Sequence, residues 1–215
     1  MAKRAYENLY PSVTEALGCL RKIGLEMWYK VNTAAFCDAK SKAGREAGTD
    51  IHALIEKNIN AQELKIDTKY PEEVQFAVKS FFLFKQEHPE IKLKLSEIPG
   101  TSEKYGFNFT TDCVMEHNGA EVLGDWKSSE AKDKEKPRIY EESFAQVAAY
   151  VKGYNEIKGT DIQEAIIVCF AKDKVAYNIE YLNAADIEEY FNEMFMPALT
   201  VCKFQKRKKA EAKLW

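Results

Sequence analysis

The sequence predicts an α/β fold: a three-layer α/β/α sandwich around a central mixed β-sheet, preceded by a helical N-terminal segment. Three observations predict it. Helical spacing fills the chain up to about residue 90, strand patterns dominate from Ile91 to Leu182, and helical patterns lie on either side of the strands. The 215 residues are enough for one well-buried domain, and no linker composition divides them. We therefore read a single domain over 1–215. It has a helical part at about 1–90, a core at about 91–182, and a C-terminal helix with a basic tail at 183–215.

The elements follow in order. Ser12-Val-Thr-Glu15 after Pro11 is a capping-box pattern that opens a helix with Val13, Leu17 and Leu20 inward. A second helix is expected to begin near Thr49, with Ile51, Leu54, Ile55 and Ile59 on its apolar side. Tyr70-Pro71-Glu-Glu opens a third, rich in aromatics (Phe76, Phe81, Phe82, Phe84), with proline tolerated in a first turn. Ile91, Leu93 and Leu95 then alternate with Lys92, Lys94 and Ser96, which is strand patterning, and its continuation places Glu97 on the apolar face. A buried acid there needs a partner, and a metal ion is one. Phe107–Val114 and Glu121–Lys127 read as a hairpin around His117-Asn118-Gly119. A charged loop, Glu130 to Pro137, leads into a helix from about Ile139 to Ile157. Ala165 to Phe170 is an unbroken apolar run, as in a strand covered on both faces, and Val175 to Leu182 is its hairpin partner. A last helix starts near Ala184.

Composition narrows the function classes. Hydrophobic residues at 46% with 30% charged residues describe an ordinary globular chain rather than a disordered one. Neither a membrane-spanning run nor a signal peptide is expected: Met1-Ala2-Lys3-Arg4 lacks a following apolar segment. The five scattered cysteines contain no Cys-x-x-Cys, which argues against a disulfide framework, a zinc ribbon or an iron–sulfur cluster. Buried thiols in a reducing cytoplasm are the simplest expectation. A net charge of −3 does not fit a general nucleic-acid coat protein, whose affinity comes from many phosphate contacts. The basic run Lys203, Lys206, Arg207, Lys208, Lys209 and Lys213 reads first as a solvated helix end and second as a DNA contact.

The chemistry concentrates in Glu121-Val-Leu-Gly-Asp-Trp-Lys127. On a strand, Asp125 and Lys127 point to one face, and the hairpin brings Asp112 close to Asp125. Carboxylates hold divalent cations, and a neighbouring ammonium orients or deprotonates a water. Two acids and a lysine at adjacent strand ends point to metal-assisted phosphodiester hydrolysis.

Asp112, Asp125-Trp126-Lys127 and Gln146-Val-Ala-Ala-Tyr150 resemble the PD-(D/E)xK nuclease superfamily. The Gln-x-x-x-Tyr element is similar to its RecB-like and phage exonuclease-like branch. Pro11-Ser-Val-Thr14, Trp28 and Gly48-Thr-Asp-Ile-His52 match that branch's opening segments, so the resemblance spans about residues 11 to 155. It implies a restriction-endonuclease-like core. It also implies metal binding by His52, Asp112, Asp125 and the Trp126 carbonyl, with Mg²⁺ or Mn²⁺ as the ion; an imidazole suits Mn²⁺ at least as well as Mg²⁺. Lys127 would position the attacking water, Glu97 would be an extra acid, and Gln146 with Tyr150 would steady the site or touch DNA. Glu56, one helical turn past His52 on the same face, reads first as a surface acid and second as a further member of the site. Ser12, Lys30, Arg45 and Arg138 are the candidate DNA-backbone contacts.

The resemblance further implies a DNA substrate, a phage-type exonuclease role in recombination or DNA processing, a phage recombination or single-strand-binding protein as partner, and a host cytoplasmic location. A non-catalytic DNA-binding or assembly subunit and a structure-selective endonuclease stand as alternatives. One residue departs from the family pattern: Phe109 occupies a position, three before Asp112, where relatives have glycine. Its ring either narrows the approach to the metal or fills a gap.

Overall fold

The computed structural model describes residues 10–59 and 68–212; Lys213 of the basic run lies outside them. Four helices come first: α1 (Val13–Leu17), α2 (Ile23–Val31), α3 (Ala34–Ile59) and α4 (Glu72–Glu87). Strands β1 (Ile91–Ser102), β2 (Phe107–His117) and β3 (Ala120–Ser129) follow, then α5 (Glu141–Lys158), β4 (Ala165–Ala171) and β5 (Tyr177–Leu182). The chain ends in α6 (Ala184–Glu189), a π-helical turn (Tyr190–Phe195) and α7 (Met196–Ala212).

The five strands form one sheet in the order β1-β2-β3-β4-β5. All neighbours are antiparallel except β3 and β4, which are parallel and joined through α5. The sheet is therefore mixed, as expected. Helices cover both faces. On one side α1, α5 and the α6–α7 arm share a core with Val114, Leu123 and Ile167; on the other, α3 and α4 share a core with Met115, Trp126 and Phe170. Every residue of β4 is buried, in keeping with its unbroken apolar run.

Local chemistry explains most element ends. Ser12 and Glu15 complete the capping box of α1, Ser12 Oγ accepting from the Glu15 N–H while a Glu15 carboxylate oxygen accepts from the Ser12 N–H. Asn118 and Gly119 both have positive φ, 51° and 83°, the two-residue turn that matches the twist of a hairpin.

Three expectations need correction. Helix α3 begins at Ala34, not near Thr49; Thr49 lies mid-helix with its hydroxyl bonded back to the Arg45 carbonyl. Helix α1 ends at Leu17, so Leu20 packs against the core from beyond it. The alternation of β1 breaks at a bulge between Leu93 and Leu95, leaving Leu95 52% exposed. Glu97 follows that break with φ of 49° and is exposed, not set on the apolar face.

Candidate metal centre

The site lies where the sheet opens. The β2–β3 ladder runs from His117 opposite Ala120 to Cys113 opposite Gly124 and stops there. One more step would set Asp112 against Asp125. Instead the Asp112 carboxylate accepts a 2.8 Å hydrogen bond from the Trp126 backbone N–H, so the side chain takes a donor that a continued ladder would use. Beyond this point β2 leaves β3, keeps its pairing with β1, meets only a single bridge from Ser12 at Asn108 on its other edge among the described residues, and changes sides. Phe107 and Phe109 join the α5 core, whereas Cys113 and Met115, an even number of residues further on, join the α3–α4 core.

The opening lets residues from both layers meet. The Trp126 ring is held edge-on by Phe81 and Phe84 of α4, each with its ring centre 6.1 Å away. With Trp126 fixed on that side, alternation sends Asp125 and Lys127 to the side shared by Leu123 and α5. His52 comes from α3. Ligand-capable atoms of His52, Glu97 and Asp112 all lie within 4.8 Å of one another, with His52 Nδ1 3.7 Å from Asp112 Oδ1. Glu97 thus reaches the centre by way of the bulge that displaced it.

Asp125 stands beside this triad and is fully buried. Its Oδ2 forms an ion pair with Lys127 Nζ at 2.5 Å, yet neither carboxylate oxygen has a well-aligned hydrogen-bond partner among the described residues. A buried carboxylate oxygen without a donor is costly unless something positive completes it. One imidazole and three carboxylates form a hard, oxygen-rich donor set, which fits Mg²⁺ or Mn²⁺ and lacks the thiolates that zinc or copper sites favour.

The charges perturb one another. Burial, then the Asp125 carboxylate, push Asp112 well above the usual carboxylate range, against the pull of Lys127 and the Trp126 N–H. Burial works against the Lys127 ammonium, but Asp125 and Asp112 outweigh it and hold its pKa above that of an ordinary lysine. Burial and Lys127 lower His52; Asp125 and the Trp126 backbone act the other way. A backbone group that favours imidazolium is an acceptor, which sets the Trp126 carbonyl toward His52. Burial and the Glu56 charge raise Glu97, so Glu56 lies near the rim of the centre and outside the triad.

Gln146 and Tyr150, one turn apart on α5, are joined by a 2.6 Å hydrogen bond from Gln146 Nε2 to Tyr150 Oη. Burial, followed by Asp125 and Asp112, raises the Tyr150 pKa well above normal, which keeps its proton in place. Tyr150 also lines a cleft of about 270 Å³ with Ser12, Thr14, Asn108 and Thr110. Thr14, whose hydroxyl is 3.1 Å from that of Ser12, is a lining residue that the sequence marks only as part of the Pro11–Thr14 segment, with no role of its own. Thr111, the buried neighbour of Asp112 in sequence, whose hydroxyl has no partner among the described residues, was missed.

The remaining candidates are more scattered. Arg45 is exposed on α3, seven residues before His52 and so on the same helical side. Arg138 is exposed ahead of α5 and lies 5.0 Å over the Tyr140 ring. Lys30 lines a separate hollow along α2 with Leu25 and Tyr29. Phe109 is 4% exposed and fills a gap: its ring occupies space that a Cβ on Gly100 or Gly153 would invade, at 2.4 Å and 2.6 Å.

No protein-family model matches this sequence, and no curated protein matches it. Among solved structures, the chain is similar to an alkaline exonuclease (LHK-Exo) from Laribacter hongkongensis, at 13% identity over 97% of both chains with a TM-score of 0.40. It is also similar to a protein named SSO0001, at 11% identity over 68% of this chain and 74% of that one, with a TM-score of 0.32. None of the described helices is long and apolar enough to cross a membrane.

Proposed function

We propose that this chain is a divalent-metal-dependent nuclease that hydrolyses phosphodiester bonds in DNA, acting as an exonuclease of the phage type in recombination or DNA processing. One observation carries the reading: His52, Glu97 and Asp112 converge from three separate elements beside a buried Asp125 that has an ion pair to Lys127 but no hydrogen-bond donor among the described residues. A purely structural role for this cluster is costly, because Asp112 and Asp125 are desolvated without enough donors to repay it.

In this reading His52, Glu97, Asp112 and Asp125 Oδ1 hold a Mg²⁺ or Mn²⁺ ion, with the Trp126 carbonyl beside them. When bound, that ion supplies electrostatic stabilisation of the charge that builds on the phosphate oxygens. Asp125 fixes Lys127, and the Lys127 ammonium orients the attacking water and donates to the phosphate as its charge rises. Gln146 holds the Tyr150 hydroxyl, which faces the carboxylates. Ser12, Lys30, Arg45 and Arg138 are the proposed contacts to the DNA backbone.

The test uses end-labelled linear DNA and closed circular DNA with Mg²⁺ or Mn²⁺, and EDTA as control. Metal-dependent release of nucleotides from linear but not circular DNA is expected, and cutting of circles makes the protein an endonuclease instead. If wild type and Asp125→Ala behave alike on both substrates, the proposal fails. An independent readout is thermal: Mn²⁺ raises the melting temperature of wild type by binding the folded state, and does so far less in Asp112→Asn.

A further inference from the structure

Helices α1 and α7 meet through two thiols that take no part in the metal centre. Cys19 is half-buried just past α1, and Cys202 is buried on α7. Cys202 Sγ lies 3.7 Å from the Glu15 carbonyl oxygen, and Cys19 Sγ lies 3.8 Å from that same oxygen. Sharing one acceptor brings the two sulfurs within reach of each other. The surrounding contact is well tied: Lys206 Nζ pairs with the Glu15 carboxylate at 2.9 Å, and Cys19 Sγ also meets Gln205 at 3.6 Å. The thiols register each other's presence, since burial and then the neighbouring Cys19 push Cys202 up to about 11. The other three cysteines, Cys37, Cys113 and Cys169, are each at most 1% exposed.

We propose that Cys19 and Cys202 are a modification site: under a hydroperoxide they form a reversible disulfide that staples α7 to α1. Cys19 is the more exposed thiol and reacts first. Its sulfur takes one oxygen from the hydroperoxide, giving a sulfenic acid and releasing water or an alcohol. The Cys202 sulfur then attacks the Cys19 sulfur, the S–O bond breaks, and the departing hydroxide takes the Cys202 proton as a second water. Two thiols are oxidised to one disulfide and one peroxide bond is reduced. The staple joins residues near opposite ends of the chain, so it constrains the unfolded state strongly. It also holds in place the helix that carries Lys203 and the run Lys206–Lys209.

The test treats the purified full-length protein with a stoichiometric amount of hydrogen peroxide, alkylates the remaining thiols, and maps peptides by mass without reductant. Expected are a linked peptide pair containing Cys19 and Cys202, a fall from five alkylatable thiols to three, and a rise in melting temperature, all reversed by dithiothreitol. In Cys202→Ser the same treatment leaves a dimedone-reactive sulfenic acid at Cys19 and no rise in melting temperature. The proposal is overturned if both thiols stay alkylatable, or if Cys19 links to another cysteine or a second copy. It is equally overturned if Cys19 proceeds to sulfinic acid while Cys202 remains reduced. The wild-type map decides the matter even if the variant fails to fold.

Discussion

The two halves of β2 belong to one strand and live in opposite surroundings. Cys113–His117 is paired on both edges, with β1 and with β3, and its side chains alternate cleanly between the two cores. Phe107–Thr111 is paired with β1 and meets only the single Ser12–Asn108 bridge on its other edge among the described residues, and its phenylalanines belong to the core that the other half leaves to Val114. The acid in the paired half, Glu116, sits between Lys92 and Lys94 on the surface. The acid at the boundary, Asp112, is desolvated, close to His52 and Glu97, and capped by a backbone N–H. A sheet thus builds a polar centre by ending one ladder a step early. The backbone groups freed at that step become ligand holders instead of rungs.

The largest expected effect breaks or keeps this comparison directly. Lys127→Ala should lower metal-dependent DNA cleavage by about 10²- to 10³-fold, the loss typical when one preorganised charge stabiliser is removed. Glu116→Ala, on the paired half, should leave the rate nearly unchanged. Steady-state cleavage of labelled linear DNA by both variants, each checked for folding by circular dichroism, measures the contrast. Equal losses would mean that the opening in the sheet is not where the chemistry happens.

Next comes the packing that holds the half of β2 beyond β3 in place. Phe109 lies against Tyr150 and Phe107, with Gly100 and Gly153 leaving room for its ring. Phe109→Ala should cost about 3–5 kcal/mol, measured by urea unfolding, because the lost contacts and the new cavity add. Gly153→Ala should be destabilising for the opposite reason, and combining it with Phe109→Leu should recover part of the loss. Recovery would show that the ring and the two glycines act as one packing unit under the site.

How much of this was legible in the sequence divides along the same line. Asp112, Asp125 and Lys127 could be placed because strand alternation and the Asn118-Gly119 turn are local and fix the hairpin register by themselves. The capping box at Ser12 was legible for the same reason. The bulge in β1 was not, since Lys92 to Ser96 alternate perfectly and the extra residue shows only in the register against β2. Glu97 was therefore set on the wrong face, where a metal ion was one candidate partner for it. The start of α3 was hidden because Ala34 to Gly48 offers small and charged residues with hardly any apolar repeat; its only buried members there are Cys37 and Ala47. Helix α2 misleads in the other direction: Ile23, Leu25, Met27 and Val31 are apolar yet all exposed.

A smaller effect sharpens the paired half. At Gly124, opposite Cys113 on the last rung, an added Cβ would lie 2.4 Å from Cys113 Sγ and 2.1 Å from Met115 Cε. Met115 ends in a flexible group, so part of the clash can relax. Gly124→Ala should cost about 1–3 kcal/mol by urea unfolding, as overpacking does. If it costs nothing, the rung is looser than its register implies and the ladder does not end by close packing.

The smallest effect concerns pH and turns on two acids of one strand shifted in opposite directions. Burial raises Asp112, whereas Lys94 and Lys92, at 2.8 Å and 2.9 Å, pull Glu116 from 4.5 down to about 2. A depressed carboxylate binds its proton more readily in the unfolded chain than in the folded one. Its stabilisation is therefore complete above about 4.5 and fades as pH falls toward about 2. Glu116→Gln should flatten the fall of melting temperature across that window and leave the neutral-pH value close to wild type. Because the group is at the surface, raising the salt should shrink the difference. A difference that persists at high salt would mean that Glu116 acts through packing, and the paired half would then be less solvent-like than its two lysines make it.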